Sequence, residues 1–96
     1  MQVIWSKKAD ITFQIIVDYI EAKFGKNAAL KFIIKVNRIV TSIQKQPLQY
    51  KASPFIFNVR KATINKQCSL FYEVNSSTIQ LLYFWDNRQN PTENRF

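Results

Sequence analysis

The chain contains no histidine, one cysteine, one glycine and one methionine, and its 96 residues carry only six Asp and Glu. Each shortage removes a class of chemistry. Without histidine, and with Cys68 alone, the usual Cys/His zinc sites are excluded, and so is a Ser–His or Cys–His nucleophile pair. Gly25 is the single glycine, so neither a Walker A loop nor a G-x-G-x-x-G turn is present to cradle phosphates. A lone cysteine makes no internal disulfide, and Cys68 reads as a small buried hydrophobe in a reducing compartment. No apolar run approaches the roughly 20 residues of a membrane-crossing helix. The opening, Met1 to Lys8, puts its basic pair after the apolar residues with no hydrophobic region behind it, unlike a secretory signal. The expected setting is the cytoplasm, with no metal and no cofactor.

What the chain has in quantity is positive charge and apolar side chains. Fourteen Lys and Arg give a formal net charge of +8 and a pI near 9.9. That balance points to an acidic or polyanionic partner, or to charge that only keeps the chain dispersed. Hydrophobic residues make up 47% and aromatics 15%, enough to build a core and to exclude intrinsic disorder. The length suits a single domain spanning residues 1–96.

The hydrophobic period changes near Pro47. Val3 to Trp5 form a short apolar opening, and Ser6 is placed to cap a helix. Ala9, Phe13, Ile16, Val17, Ile20 and Phe24 then fall on one helical face, with Gly25 as its stop. Asn27 is a second N-cap candidate, before the stripe Ala29, Phe32, Ile33, Val36, Ile39, Val40 and Ile43. Pro47 bars continuation. Lys31, Lys35, Arg38 and Lys45 recur on the opposite face as a basic ridge, which also reads as an ordinary solvated surface. So short a connection predicts an antiparallel helical hairpin. Beyond a loop from Gln46 to Pro54 the period becomes that of strands. Phe55, Phe57 and Val59 alternate with Ile56, Asn58 and Arg60; Cys68, Leu70, Tyr72 and Val74 with Ser69, Phe71 and Glu73; Ile79, Leu81, Tyr83 and Trp85 with Gln80, Leu82 and Phe84. Polar turns at Asn65-Lys66 and Asn75-Ser76-Ser77 predict an antiparallel meander. The expected fold class is α+β, in the order β-α-α-β-β-β. The N-terminal strand joins the edge of a small, mainly antiparallel sheet, and the hairpin covers one face. The second face is more apolar than a solvated one requires.

The chain resembles the RelE/ParE toxins of bacterial toxin–antitoxin pairs. The resemblance is carried by the opening Val3-Ile4-Trp5-Ser6-Lys7-Lys8-Ala9, by Asn58-Val59-Arg60-Lys61-Ala62, by Leu70-Phe71-Tyr72-Glu73-Val74, and by Phe84-Trp85-Asp86-Asn87-Arg88-Gln89-Asn90-Pro91. It implies a toxin that inhibits growth when free and is neutralised by a cognate antitoxin protein. The target is left open, because RelE-like members cut mRNA on the ribosome whereas ParE-like members poison DNA gyrase, and one fold serves both.

Cleavage by a ribose 2′-hydroxyl needs a base, an acid for the leaving oxygen, and cations for the developing charge. Arg60, Lys61 and Arg88 are the candidates for charge stabilisation, with Lys51, if the fold brings them to one end of the sheet; the arginine fork suits phosphate. Tyr50, beside Lys51, is a candidate for stacking on a target base, and this pair is the expected target-binding element. Glu73 reads as a cross-strand partner of Arg60. Arg88 reads either as a phosphate clamp or as a partner of Asp86. The acid–base set is incomplete, which favours a ParE-like, gyrase-directed or non-nucleolytic target over a ribosome-dependent mRNA endonuclease. A non-toxic basic nucleic-acid-binding module is the reading from another class. Antitoxin binding is expected at Lys31, Lys35, Arg38 and Arg60, where an amphipathic acidic segment would meet cations and apolar surface together.

Overall fold

A computed structural model describes residues 1–88. Its elements follow the expected order: β1 (Gln2–Trp5), α1 (Lys7–Phe24), α2 (Lys26–Lys45), β2 (Val59–Thr63), β3 (Cys68–Val74) and β4 (Thr78–Asp86). The four strands form one sheet in the order β1-β4-β3-β2. β1 runs parallel to β4, and the other two pairings are antiparallel. The helical hairpin packs on one face of this sheet, with Phe32, Val36 and Ile43 meeting Leu70, Tyr72, Ile79, Leu81 and Phe84 in one buried cluster.

Ser6 starts α1 as its composition suggests. Its Oγ accepts from the Ala9 N–H at 2.9 Å and donates to the Leu82 carbonyl at 2.8 Å, so one hydroxyl caps the helix and ties it to β4. Thr12, nearly two turns on, accepts from the Phe84 N–H at 2.9 Å. These bonds set the height of α1 on the sheet.

The second cap differs from expectation. α2 begins at Lys26 with Gly25 as its N-cap and no side-chain cap, so Asn27 lies inside the helix. Gly25 ends one helix and begins the next: its N–H donates to the Glu21 carbonyl, and its own carbonyl accepts from the Ala29 N–H. This single-residue joint needs φ +96°, a conformation open to glycine.

Two strand expectations are also corrected. The extended segment does not begin at Phe55. Asn58 adopts φ 64°, and a turn brings the Val59 N–H to the Ile56 carbonyl, so β2 starts only at Val59. Phe55 and Phe57 are left in solvent, 83% and 90% exposed. In β4 the alternation reverses midway. Tyr72 faces Leu81 but Phe71 faces Tyr83, so Leu82 is an extra residue in the ladder. Such a bulge moves every later side chain to the other face. Phe84 therefore joins the helix-side core beside Trp5 and Phe13, while Tyr83 stacks on Phe71 across the second face at 4.9 Å. Val59, Phe71 and Tyr83 are buried on that face with Ile56, Leu82 and Trp85 around them. The apolar excess there is thus satisfied largely within the chain.

Candidate functional site

The candidate residues fall at two ends of the sheet. Val59 pairs with Glu73 at one end of β3, and Cys68 pairs with Asp86 at the other. Five residue steps along a strand separate them by about 17 Å.

At the Cys68–Asp86 end, the flanks of α1 and α2 and the sheet enclose a groove of about 620 Å³. Its apolar wall includes Ile15, Tyr19 and Phe24, and its cations are Lys31, Lys35 and Arg88. Arg88 reaches this position because Asn87 is fastened to the preceding turn. The Asn87 N–H donates to the Gln67 carbonyl at 2.7 Å, and the hydroxyl of buried Ser69 donates to Asn87 Oδ1 at 3.0 Å. The Arg88 guanidinium then forks onto Asp86, with Nη2–Oδ2 at 2.6 Å and Nε–Oδ1 at 3.0 Å. It also lies over the Tyr19 ring, 5.2 Å from the centroid.

Charge in this groove is organised by these contacts. The Tyr19 hydroxyl accepts from Lys23 Nζ at 3.1 Å and from Arg88 Nη1 at 3.4 Å, and the bond from Arg88, with that from Lys23, pulls the phenol below its ordinary value. The bond from Arg88 likewise holds the Asp86 carboxyl below its usual range, and Asp86 holds the Arg88 proton more tightly. Cys68 forms part of the groove lining, yet burial pushes its thiol up to about 12, with Asp86 adding to the shift. It stays a neutral, unreactive thiol.

At the other end, Arg60 lies opposite Tyr72 and points to the helix side, whereas Lys61 lies opposite Phe71 and points to the second face. Arg60 Nη1 donates to the Tyr50 carbonyl at 2.6 Å and more weakly to that of Leu48 at 3.5 Å. The Tyr72 hydroxyl donates to the Pro47 carbonyl at 2.8 Å. Two neighbouring strands thereby hold the segment after α2 by its backbone. Tyr50 is half-buried, packs against the main core cluster and holds its ring nearly perpendicular to that of Tyr72, with centroids 6.5 Å apart. Lys51 is exposed, and its carbonyl accepts from the Lys61 N–H at 3.1 Å.

The structure brings Lys31, Lys35 and Arg88 together around the groove, and Lys51, Arg60 and Lys61 together beside β2. It does not bring Arg60 and Arg88 to one end of the sheet. Nor does Glu73 pair with Arg60: Glu73 sits opposite Val59, so the two side chains leave on opposite faces. Arg38 is exposed on α2, outside the groove lining. Sequence reasoning overlooked Tyr19 and Lys23. Their signal was a tyrosine lying off the apolar stripe of α1 with a lysine four residues on, the spacing that stacks side chains on a helix. Among the described residues no group of three His, Cys, Asp or Glu gathers as metal ligands, and no helix is long and apolar enough to cross a membrane.

Comparison with known proteins agrees with this architecture. Residues 3–91 match the family model described as the ParE toxin of the type II toxin–antitoxin system, parDE. Among solved structures, the chromosomal ParDE toxin–antitoxin system from P. aeruginosa is similar at 25% identity and TM-score 0.77, over 90% of this chain and 95% of that one. The YoeB/ParE toxin from Agrobacterium tumefaciens shares the fold at 9% identity and TM-score 0.65, over 91% and 99% of the two chains. So does the heterotetrameric YoeB-YefM toxin-antitoxin complex from Staphylococcus aureus, at 15% identity and TM-score 0.62, over 88% and 94%. No curated protein matches the sequence significantly. The family match spans nearly the whole chain, and the strand and helix order agrees with it: this chain belongs to the ParE toxin family of type II toxin–antitoxin systems.

Proposed function

We propose that the free toxin arrests growth by engaging a protein target without cutting RNA, in the manner of a gyrase-directed toxin, and that a cognate antitoxin neutralises it. One observation carries the choice of target class: the cations do not surround a single phosphate position. Arg60 Nη1 bonds to the Tyr50 and, more weakly, the Leu48 carbonyl, Lys61 leaves on the opposite face, and Arg88 lies beyond Cys68 at the far end of β3, paired with Asp86. A phosphorane needs its charge-stabilising groups preorganised around one site. A base and an acid must also lie within hydrogen-bond reach of the reacting oxygens, and the chain has no histidine for either task.

Antitoxin recognition is supported by the groove. Apolar Ile15, Tyr19 and Phe24 stand beside Lys31, Lys35 and Arg88, which suits an amphipathic segment whose carboxylates meet the cations. Arg38, one further turn along α2, would meet the same segment at its edge, while Arg60 lies outside the groove, about 17 Å along the sheet, where only a longer antitoxin segment would reach it.

Purified toxin tested in parallel on DNA gyrase and on translating ribosomes separates the target classes. The expected result is trapped gyrase–DNA cleavage complexes, or lost supercoiling, with intact mRNA. Codon-phased mRNA cleavage with unaffected gyrase would replace this reading with that of a ribosome-dependent endonuclease.

A further inference from the structure

The segment from Leu48 to Phe57 exposes more apolar surface than any other loop described. Leu48 is 65% exposed, Phe55 83% and Phe57 90%. Single exposed apolar residues are ordinary, but two nearly bare aromatics two positions apart, with Leu48 in the same loop, expose apolar surface at a cost in water. They are also held in place. Ile56, between them, packs against the Val59, Phe71 and Tyr83 cluster. The Ser53 N–H donates to the Val59 carbonyl at 2.6 Å, and the Phe55 N–H donates to Ser53 Oγ at 3.2 Å. Arg60 secures the loop's other arm through Tyr50. With Ile56 turned inward, Phe55 and Phe57 are left in solvent on a braced loop, which lowers the ordering entropy that binding would otherwise cost.

The surrounding charge says what the pair fits. From Lys45 to Lys61 the chain carries Lys45, Lys51, Arg60 and Lys61 and no carboxylate. A second copy would bring Lys51 and Lys61 against their equivalents, with Glu73, opposite Val59, as the nearby carboxylate against four cations, so self-association is disfavoured. Nucleic acid fits less well than protein: the one arginine has Nη1 tied to backbone carbonyls, and Leu48 adds an aliphatic side chain that does not stack on bases. The loop also lies at the Val59–Glu73 end of the sheet, about 17 Å from the groove at the Cys68–Asp86 end.

We infer that Phe55 and Phe57 form the toxin's target-engaging knob, inserting as a pair into an apolar cleft of a partner protein whose rim carries carboxylates for Lys51 and Lys61. The inference rests on the reading that the toxin acts by binding a protein target. Paired aromatic anchors entering a cleft, flanked by charges that steer the encounter, are the usual economy of a small interface. The groove remains available for the antitoxin.

The test is the double variant Phe55→Ser/Phe57→Ser, with Lys51→Glu/Lys61→Glu as its charge-reversed counterpart, in the full chain. Since both phenylalanines are almost wholly in solvent, the first variant should melt at the parent's temperature. Three readouts follow: growth arrest on induction, binding to purified DNA gyrase, and neutralisation by the cognate antitoxin. The expected result is growth arrest abolished and gyrase binding weakened by about tenfold or more, with antitoxin binding kept. The charge-reversed variant should associate more slowly, and less so at high salt. A folded double variant that arrests growth like the parent overturns the inference. So does one that stays toxic but escapes the antitoxin, which would make the knob an antitoxin contact. Sedimentation of the parent, but not the variant, with phosphatidylcholine–phosphatidylglycerol vesicles would make the partner a lipid surface and overturn it too. If the parent fails to bind gyrase, the choice of target fails by itself. The growth readout still decides whether the knob is required.

Discussion

Removing the Arg60 side chain tests whether it braces the exit from α2 against the sheet. Its guanidinium bonds to the Tyr50 carbonyl at 2.6 Å and the Leu48 carbonyl at 3.5 Å. In the adjacent strand, the Tyr72 hydroxyl bonds to the Pro47 carbonyl at 2.8 Å. Together the two side chains fasten the exit from α2 to the sheet. Hydrogen bonds to charged groups contribute about 1.5–3 kcal/mol. Arg60 is only half-buried, and its second contact is long, so the lower figure applies. Arg60→Ala should then cost about 1.5 kcal/mol, and at about 4–8 °C per kcal/mol for a domain of this size its melting point should fall by about 6–12 °C. Tyr72→Phe removes a neutral bond and should cost about 0.5–1.5 kcal/mol. Because both hold one segment, the double variant should lose less than the two single losses added together. Thermal and urea unfolding of the four proteins measures all of this. An Arg60→Ala protein that melts with the parent would refute the bracing role and return the guanidinium to ligand binding.

Three further outcomes are expected. Phe32, almost fully buried against the sheet, should cost about 3–5 kcal/mol when cut to alanine, read as a lower urea midpoint at unchanged slope. Asp86→Asn should have only a small effect on stability, because the pair it forms with Arg88 is partly exposed. The low-lying Asp86 carboxyl adds stability above the ordinary aspartate range that is lost as the pH falls through its folded value. The acid limb of the stability profile should therefore flatten in Asp86→Asn, and an unchanged limb would deny the pair any role. The tyrosines should separate on alkaline absorbance titration. Burial pushes Tyr72 and Tyr83 up to about 12, whereas the bonds from Arg88 and Lys23 bring Tyr19 below its ordinary value. Tyr19→Phe should remove the earliest phenolate step. The two raised tyrosines contribute stability that is whole below about pH 10 and lost as the pH climbs through about 12.

The helical hairpin is legible in the sequence through the Ser6 cap, two apolar stripes at helical spacing, Gly25 between them and Pro47 after them; the Asn27 cap alone misleads, because Gly25 both closes α1 and opens α2. The hydrophobic faces of β2 to β4 were legible only as far as strict alternation holds. Leu82 breaks it, and a bulge leaves no mark in the pattern of apolar letters, so Tyr83, Phe84 and Trp85 were assigned to the wrong faces. The stretch Phe55-Ile56-Phe57 has the composition of a strand, but the left-handed Asn58 turns the chain before it can pair. Site residues were identified by chemical type, which placed cations correctly on their elements. Their grouping depended on which end of each strand they occupy. Arg60 is the second residue of β2 and Arg88 follows β4, and in this antiparallel order those positions lie at opposite ends of β3.

How the free toxin stops growth is measured most directly by induced expression in a permissive bacterium, with transcripts mapped by sequencing and DNA damage followed by a reporter. Growth arrest with a DNA-damage response and intact transcripts is the expected result. Growth arrest with transcripts cut within translated codons and no DNA damage would contradict it.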